Sequence, residues 1–354
     1  MCMITQNNLL LLKYMKQYIV DICLVFILLI IVTGCTPVNQ GAVKPKPVQN
    51  ESDNIKENLS LNYLFLKSRF QIKNNQFNEA IKSLQHALLK DPDSYILTHN
   101  LIYLYLNQKK KNQAFILAEN FVKQNPDNID GLMLLVYLKQ NSLKEEELIA
   151  IFKKILLLDP ANPNIIIYLA AIYEKNGKYE KAVHLLQNGV EQSPENTSLL
   201  FRLGVMQDKT DLKKASLNTM QKIIKIDPEN ANALNYLGYS YAEQGILLDK
   251  ALELIKKAHK IKPDDFAIID SLGWVYYKMG KYQKAVKFLE KAASLSSFEI
   301  VISDHLGDAY QKTNQPDKAL STYKKAIANG SKEDKKIILK LNAKINALQK
   351  KINE

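Results

Sequence analysis

The 354-residue chain is long enough for two ordinary domains or one long repeat array; at 47% hydrophobic and 24% charged, with 12 Gly and 11 Pro, it reads as mostly helical with ample core. Its formal net charge of +12 is carried almost wholly by lysine, the only arginines being Arg69 and Arg202, so it reads as solvated helix faces and not as a phosphate-reading surface; no nucleic-acid partner is expected. Cys2, Cys23 and Cys35 all lie in the first tenth of the chain, which excludes a disulfide framework and a cysteine-ligated zinc site elsewhere.

At the N-terminus, Met15-Lys16 opens a basic stretch, Ile22 to Val32 is an apolar run of 11 residues, and Thr33-Gly34-Cys35 supplies small residues at a cleavage point. That is the layout of a secretory signal. The run is shorter than the roughly 17–25 residues a membrane span needs, and Asp21 stops it from growing backwards. Val32-Thr33-Gly34-Cys35 resembles the bacterial lipobox. The resemblance implies cleavage before Cys35 and acylation of its thiol, with palmitate among the added chains; a plain signal or an uncleaved anchor is the alternative. Residues 1–34 are then a lipoprotein signal peptide, with Met15 the expected true start. Removing them takes away Lys13, Lys16 and Asp21 and leaves a charge of +11. Thr36 follows the cysteine, with no aspartate there to indicate inner-membrane retention, so the expectation is a lipid anchor on the periplasmic side of a Gram-negative outer membrane. Residues 35–60, rich in Pro, Gln, Asn, Lys and Ser, are expected to be the lipidated cysteine and a flexible tether.

Beyond the tether a period of 34 sets in. Pro92, Pro126, Pro160, Pro194 and Pro228 are each 34 residues apart, and Pro263 follows after 35. A proline forces the residue before it out of helical geometry, so each marks a recurrent helix end. Twelve residues before these prolines stand Ala80, Ala114, Leu148, Ala182, Ser216 and Ala251, and two further units continue with Ala285 and Ala319. About twelve residues earlier again lies another small residue, as at Ser68, Ala170, Gly204, Gly238, Gly273 and Gly307. Tyr105, Tyr173, Tyr241, Tyr276 and Tyr310 follow three residues after that position. Leu272-Gly273, Tyr276, Gly280, Tyr282 and Ala285 form the best unit. The pattern resembles the tetratricopeptide repeat (TPR), whose small residues mark where helices A and B cross closely. The resemblance implies an all-α fold, a right-handed superhelix of eight helix-turn-helix repeats over residues 61–331. Units are expected to start near 61, 95, 129, 163, 197, 231, 266 and 300. The third and fifth are degenerate at Val136, Leu148 and Ser216, and the sixth carries one extra residue near Ile246-Leu247-Leu248.

Residues 332–354 are expected to form a C-terminal capping helix. Ser331 and Asp334 have the spacing of a helix N-cap, and Ile338, Leu341, Ile345, Leu348 and Ile352 recur at helical intervals. A coiled-coil or homodimer seam is the alternative reading of that stripe.

No catalytic constellation is legible: there is no His-Glu-x-x-His, no glycine-rich phosphate loop and no Gly-x-Ser-x-Gly elbow. The five histidines are scattered over different units and read as helix-face residues. Neither an enzyme nor a metal or cofactor is expected. In TPR proteins, helix A positions 2, 5, 9 and 12 line a concave groove. Carried onto this chain, the resemblance implies a protein-binding groove lined by Tyr103, Tyr137, Asn235, Tyr239, Asp270, Trp274, Tyr277 and Asp304, aromatic throughout and locally acidic in repeats six to eight. Lipobox, tether and repeats together resemble TPR lipoproteins of the Gram-negative outer membrane. They imply a scaffold for periplasmic or outer-membrane proteins, such as an adaptor delivering substrates to a periplasmic C-terminal-processing protease. Alternatives are a pilotin-like assembly factor for a type IV pilus secretin, or a non-catalytic subunit of an envelope-synthesis enzyme.

Overall fold

The computed structural model describes residues 60–139, 143–331 and 334–353. Cys35, the signal segment and the tether lie outside these. Among the described residues there are 17 helices and no strand. Sixteen form eight pairs, each an A helix followed by a B helix: α1 (Leu61–Lys73) and α2 (Phe77–Lys90), α3 (Tyr95–Asn107) and α4 (Lys111–Gln124), α5 (Ile129–Lys139) and α6 (Glu145–Leu158), α7 (Pro163–Lys175) and α8 (Tyr179–Gln192). Then come α9 (Thr197–Lys209) and α10 (Lys213–Ile226), α11 (Ala231–Gln244) and α12 (Leu248–Ile261), α13 (Phe266–Lys278) and α14 (Tyr282–Leu295), and α15 (Ile300–Lys312) and α16 (Pro316–Asn329). The last, α17, spans Lys335–Asn353. The A helices begin at the eight residues that the 34-residue count gives.

The turns explain the period. Within six of the pairs the chain reverses through one left-handed residue, two before helix B: Asn75, Lys109, Gly177, Asp211, Gly280 and Asn314 all have φ between 55 and 74. The next amide bonds back to the carbonyl five residues earlier, as Lys178 N does to Tyr173 O (2.8 Å) and Lys281 N to Tyr276 O (2.9 Å). This satisfies carbonyls that the helix end would leave bare. In the sixth pair Gly245 takes the left-handed place, and the added residue is accommodated at Leu247, itself at φ 48. Between pairs, the residue before each proline caps helix B, and at every such junction but the first, where Ser94 stands, an Asn or Asp three residues on caps the next helix A. Asn128, Asn162, Asn196 and Asn230 accept from the amides of Gly131 (2.8 Å), Ile165 (3.2 Å), Leu199 (3.1 Å) and Ala233 (3.1 Å). Asn162 and Asn230 also donate to the pre-proline Asp159 (2.9 Å) and Asp227 (3.1 Å). An N-cap of this kind contributes about 1 kcal/mol.

The small residues sit at the crossings. Ala80, Ala114, Ala182, Ala251, Ala285 and Ala319 are fully buried, and Ser216 nearly so. Opposite them, a methyl group added at Gly204 would fall 2.6 Å from Met220 Cε, and one at Gly273 2.6 Å from Leu289 Cγ. In the third pair, where Val136 and Leu148 replace small residues, Val136 is buried and Leu148 half-buried.

The described residues divide into two compact units, one up to residue 165 and one from residue 166 onward. The first has a core of Leu64, Leu84, Leu97, Leu101, Ile102 and Leu134 with the crossing alanines. The core of the second runs from Leu200 through Leu237, Leu272, Leu289, Leu306 and Tyr323 to Leu341, Ile345 and Leu348 of α17. The apolar stripe of α17 is thus buried against its own chain, and Ser331 N and Oγ both donate to Asp334 Oδ2 at 2.8 Å where the helix opens.

Two polar offsets recur beside the apolar core. Position 11 of helix A is Tyr or Gln in every pair but the third, where it is Lys139. As glutamine it reaches helix B of its own pair, twelve residues on: Ser83 Oγ donates to Gln71 (2.8 Å) and Thr219 Oγ1 to Gln207 (2.8 Å). As tyrosine it reaches the preceding helix B, twenty residues back, at Tyr105, Tyr241 and Tyr310. Gln85 donates to Tyr105 OH (2.9 Å), Gln221 to Tyr241 OH (3.2 Å), and Tyr310 OH donates to Glu290 (2.6 Å). At these three positions the aromatic of the repeat pattern is an inter-repeat lock as well as a core residue.

Candidate functional site

The face presented by the A helices is built from positions 5, 6, 9, 12 and 13 of successive pairs. In the unit containing residues 166–354 these positions are joined across neighbouring repeats by ion pairs. Glu174 of α7 holds Lys209 of α9 (2.6 Å) and, more loosely, Arg202 (3.8 Å). Glu243 of α11 accepts from Trp274 Nε1 of α13 (2.7 Å) and faces Lys278 Nζ at 3.8 Å. Asp270 of α13 binds His305 Nδ1 of α15 through both carboxylate oxygens, at 2.9 and 3.1 Å. Asp304 of α15 binds Lys340 of α17 (2.8 Å) and also Lys344, which pairs with Asp308 as well. Thus α17 supplies to the eighth pair the contacts that each A helix supplies to the pair before it.

At the centre lies a stack of rings. Trp274 packs on His305 with centroids 4.1 Å apart and on Tyr277 at 4.8 Å, both nearly parallel, and Tyr239 tilts over His305 at 6.4 Å. Burial alone would lower the His305 pKa, but Asp270 beside it, helped by Asp304 and Glu243, raises it above the ordinary value. The imidazolium is then held between a carboxylate and an indole face, which attracts cations. Burial would raise the Asp304 carboxyl, but the hydrogen bonds from Lys340 and Lys344 outweigh it and hold the group below the usual carboxylate range. Burial and the neighbouring Asp308, to which it donates at 2.7 Å, push the Tyr323 phenol far up, so it stays a neutral donor.

The structure brings Asp270, Trp274, Tyr277, Tyr239 and Asp304 into one cluster, but it buries several that the groove reading treats as open. Trp274 is 8% exposed, and Asn235, Asp270 and Asp304 are each 6%. As placed, their contacts are to neighbouring A helices and α17. Asn235 Oδ1 is buried without a hydrogen-bond partner among the described residues. The carboxylates there do not leave the face acidic, since His305, Lys340 and Lys344 match them from within the chain. Tyr239 and Tyr277 are half-buried, with part of each ring at the surface. In the other unit Tyr137 is half-buried and Tyr103 is 56% exposed. Cys35 lies outside the described residues. His305, Glu243, Lys340 and Lys344 were not anticipated as members of this face. The signal that could have found them is a base standing 35 or 36 residues after an acid, one repeat on.

Among the described residues no group of three or more His, Cys, Asp or Glu could hold a metal ion, and no helix is long and apolar enough to cross a membrane.

Residues 149–204 match the tetratricopeptide repeat family and residues 248–350 the tetratricopeptide repeat-like domain. A TPR repeat-containing protein of Pseudomonas aeruginosa is 53% identical over 47 residues, which is 13% of this chain and 8% of that protein's length. Among solved structures, the Cut9–Hcn1 hetero-tetramer of the APC/C aligns with a TM-score of 0.52 at 14% identity, over 82% of this chain and 57% of that one. A thermophilic TPR protein of Thermus thermophilus aligns with a TM-score of 0.45 at 22% identity, over 52% of this chain and 97% of that one. The all-α solenoid described above is the fold shared with the Cut9–Hcn1 structure.

Proposed function

We propose that this tetratricopeptide-repeat protein is a scaffold tied by a lipid at Cys35 to the periplasmic side of an outer membrane, holding protein partners along the face of its A helices. TPR arrays are protein–protein interaction modules, and the repeats here carry no competing chemistry that the sequence makes legible. The observation that carries the reading is the floor of the last three repeats. Asp270, Trp274, His305, Asp304, Lys340 and Lys344 tie successive A helices together, and the half-open rings of Tyr239 and Tyr277 stand on that floor. A contact surface that is already ordered loses little entropy when a partner docks. Within this class, the stretch from Asn235 to Trp274 resembles adaptors that bring substrates to periplasmic C-terminal-processing proteases, and delivery of substrates to such a protease is the specific role we infer.

Two measurements test it. Cells fed a clickable palmitate analogue are expected to label the wild-type chain and leave Cys35→Ser unlabelled; equal labelling of both would remove the anchor from the proposal. Affinity purification from the native envelope, with mass spectrometry, would then identify the partner. Tyr239→Ala and Tyr277→Ala are each expected to weaken it by roughly 2 kcal/mol, about thirtyfold, with the helical melt unchanged. If Tyr103→Ala abolishes binding while both of these bind like wild type, the partner sits on the other unit.

A further inference from the structure

Among the described residues α1 is the first helix, and its outer face is unlike that of any later A helix. Positions 3, 6 and 10 of an A helix meet the preceding repeat: Ile268, Ser271 and Val275 on α13 are buried, as are Ile302, His305 and Ala309 on α15. In the same unit as α1, Leu97 and Leu104 at positions 3 and 10 of α3 are buried as well. The corresponding residues of α1 are Tyr63, Leu66 and Phe70, exposed by 49%, 66% and 66%. At 3.6 residues per turn they form one strip, with Lys67 on one flank and Lys73 on the other. Lys67 Nζ leans over the Tyr63 ring at 5.8 Å. Arg69 lies further round, and none of the thirteen residues of α1 is acidic.

We infer that this strip docks on an anionic phospholipid surface. An aromatic and aliphatic strip with cationic flanks on a short helix is the composition of a segment that lies in a membrane interface, and each flanking cation adds attraction to anionic headgroups. A second copy of the chain fits less well, because two-fold pairing of α1 would bring six cations together with no carboxylate between them. The position along the chain agrees. The geometry rests on the anchoring proposed at Cys35, from which 25 residues lead to α1. A coil of that length has a root-mean-square span of about 25–30 Å. The strip is thus at the end of the array held nearest the bilayer, where a weak surface affinity is multiplied by tethering. Docking there would turn the first repeat toward the membrane.

The test places the full chain's only indole on the strip, using Phe70→Trp together with Trp274→Phe. Vesicles with brominated acyl chains, containing phosphatidylglycerol in phosphatidylcholine, are expected to quench its emission at least about twofold with a blue shift. Phosphatidylcholine alone, or high salt, is expected to leave it unquenched. No quenching on phosphatidylglycerol vesicles, or equal quenching on both lipids, would overturn the inference. So would a blue shift without vesicles that grows with protein concentration alongside a sedimenting dimer, which would make a second copy the occupant. If Trp274→Phe fails to fold, the difference spectrum between Phe70→Trp and the parent chain gives the same reading. The Cys35→Ser chain separates the two proposals. Lost palmitate labelling in that chain with quenching retained keeps the strip's affinity intrinsic, whereas normal labelling of the chain with Cys35 intact and an unquenched indole leaves the anchor standing and the strip refuted.

Discussion

Gly307→Ala is expected to destabilise the end of the array by about 2–4 kcal/mol, although alanine is the better helix former. The added methyl group would clash with the ring of Tyr323, closest to Cε1, with Cζ at 2.6 Å and Cδ1 at 2.7 Å. That ring has nowhere to go. It is fully buried, its hydroxyl donates to Asp308 at 2.7 Å, and Gln311 donates to it at 2.7 Å. Overpacking of this kind costs roughly 1–3 kcal/mol and more when neither side can yield, against about 1 kcal/mol gained in helix propensity. Contacts in a solenoid run mainly between neighbours, so the loss should appear as early melting of the last repeats and α17, with the remaining repeats melting as before. Gly280→Ala makes the control: nothing lies within 4 Å of the added carbon there, and only the φ of +74 is strained. That variant should lose about 1 kcal/mol. Urea unfolding followed by circular dichroism decides. A Gly307→Ala chain as stable as wild type would mean that α15 and α16 do not cross at that residue. Adding Tyr323→Leu should recover part of the loss, since the two sites share one space.

The second large effect concerns the Asp270–His305 pair. Asp270→Ala leaves His305 buried opposite an empty place, and breaking a buried pair from one side typically costs about 3–5 kcal/mol. The sign of the pH dependence follows from the raised His305 pKa. In the unfolded chain the imidazole titrates near about 6.5. In the fold Asp270, with lesser help from Asp304 and Glu243, holds the proton to higher pH. The pair's contribution is therefore fully present below the unfolded value and is lost as pH rises through the folded one. Wild type and Asp270→Ala should differ most below about pH 6.5 and converge in alkaline solution. Unfolding free energies measured from pH 5.5 to 9 would expose the error if the gap were constant, because a structural effect of the substitution alone has no reason to titrate.

These two sites differ in how readily the sequence shows them. Gly307 and the crossing alanines are legible because close helix contact admits only small side chains, and the constraint returns every 34 residues. The helix starts are legible for the same reason: a proline and the Asn two residues after it are both forced by one turn. The extra residue of the sixth turn was also visible, though its solution, a left-handed Leu247, was not. The burial of Asp270, Trp274, Asn235 and Asp304 was not legible. A position rule assigns a side chain to the A-helix face, but whether that side chain stays open depends on what stands one repeat later. Here His305 and Lys340 stand there. His305 looked like an ordinary surface histidine until its spacing to Asp270 was seen as a contact.

The fixed offsets of the hydrogen bonds bear on how such a chain can change its length. Where Tyr at position 11 bonds to the helix twenty residues back, or Gln to the helix twelve residues forward, a duplicated 34-residue block would arrive with both halves of that pair in place. Copy number can then drift by whole units with no new partner needing to be invented at the seam. The C-terminal end lacks that freedom. Asp304 and Asp308 are matched by Lys340 and Lys344, which belong to α17 and to no repeat, so a copy inserted between α16 and α17 would part these acids from their lysines. Growth of the array by duplication is compatible with the fold upstream of the eighth pair and penalised directly after it, which makes the final repeat and its helix an inherited block and the interior the part free to lengthen.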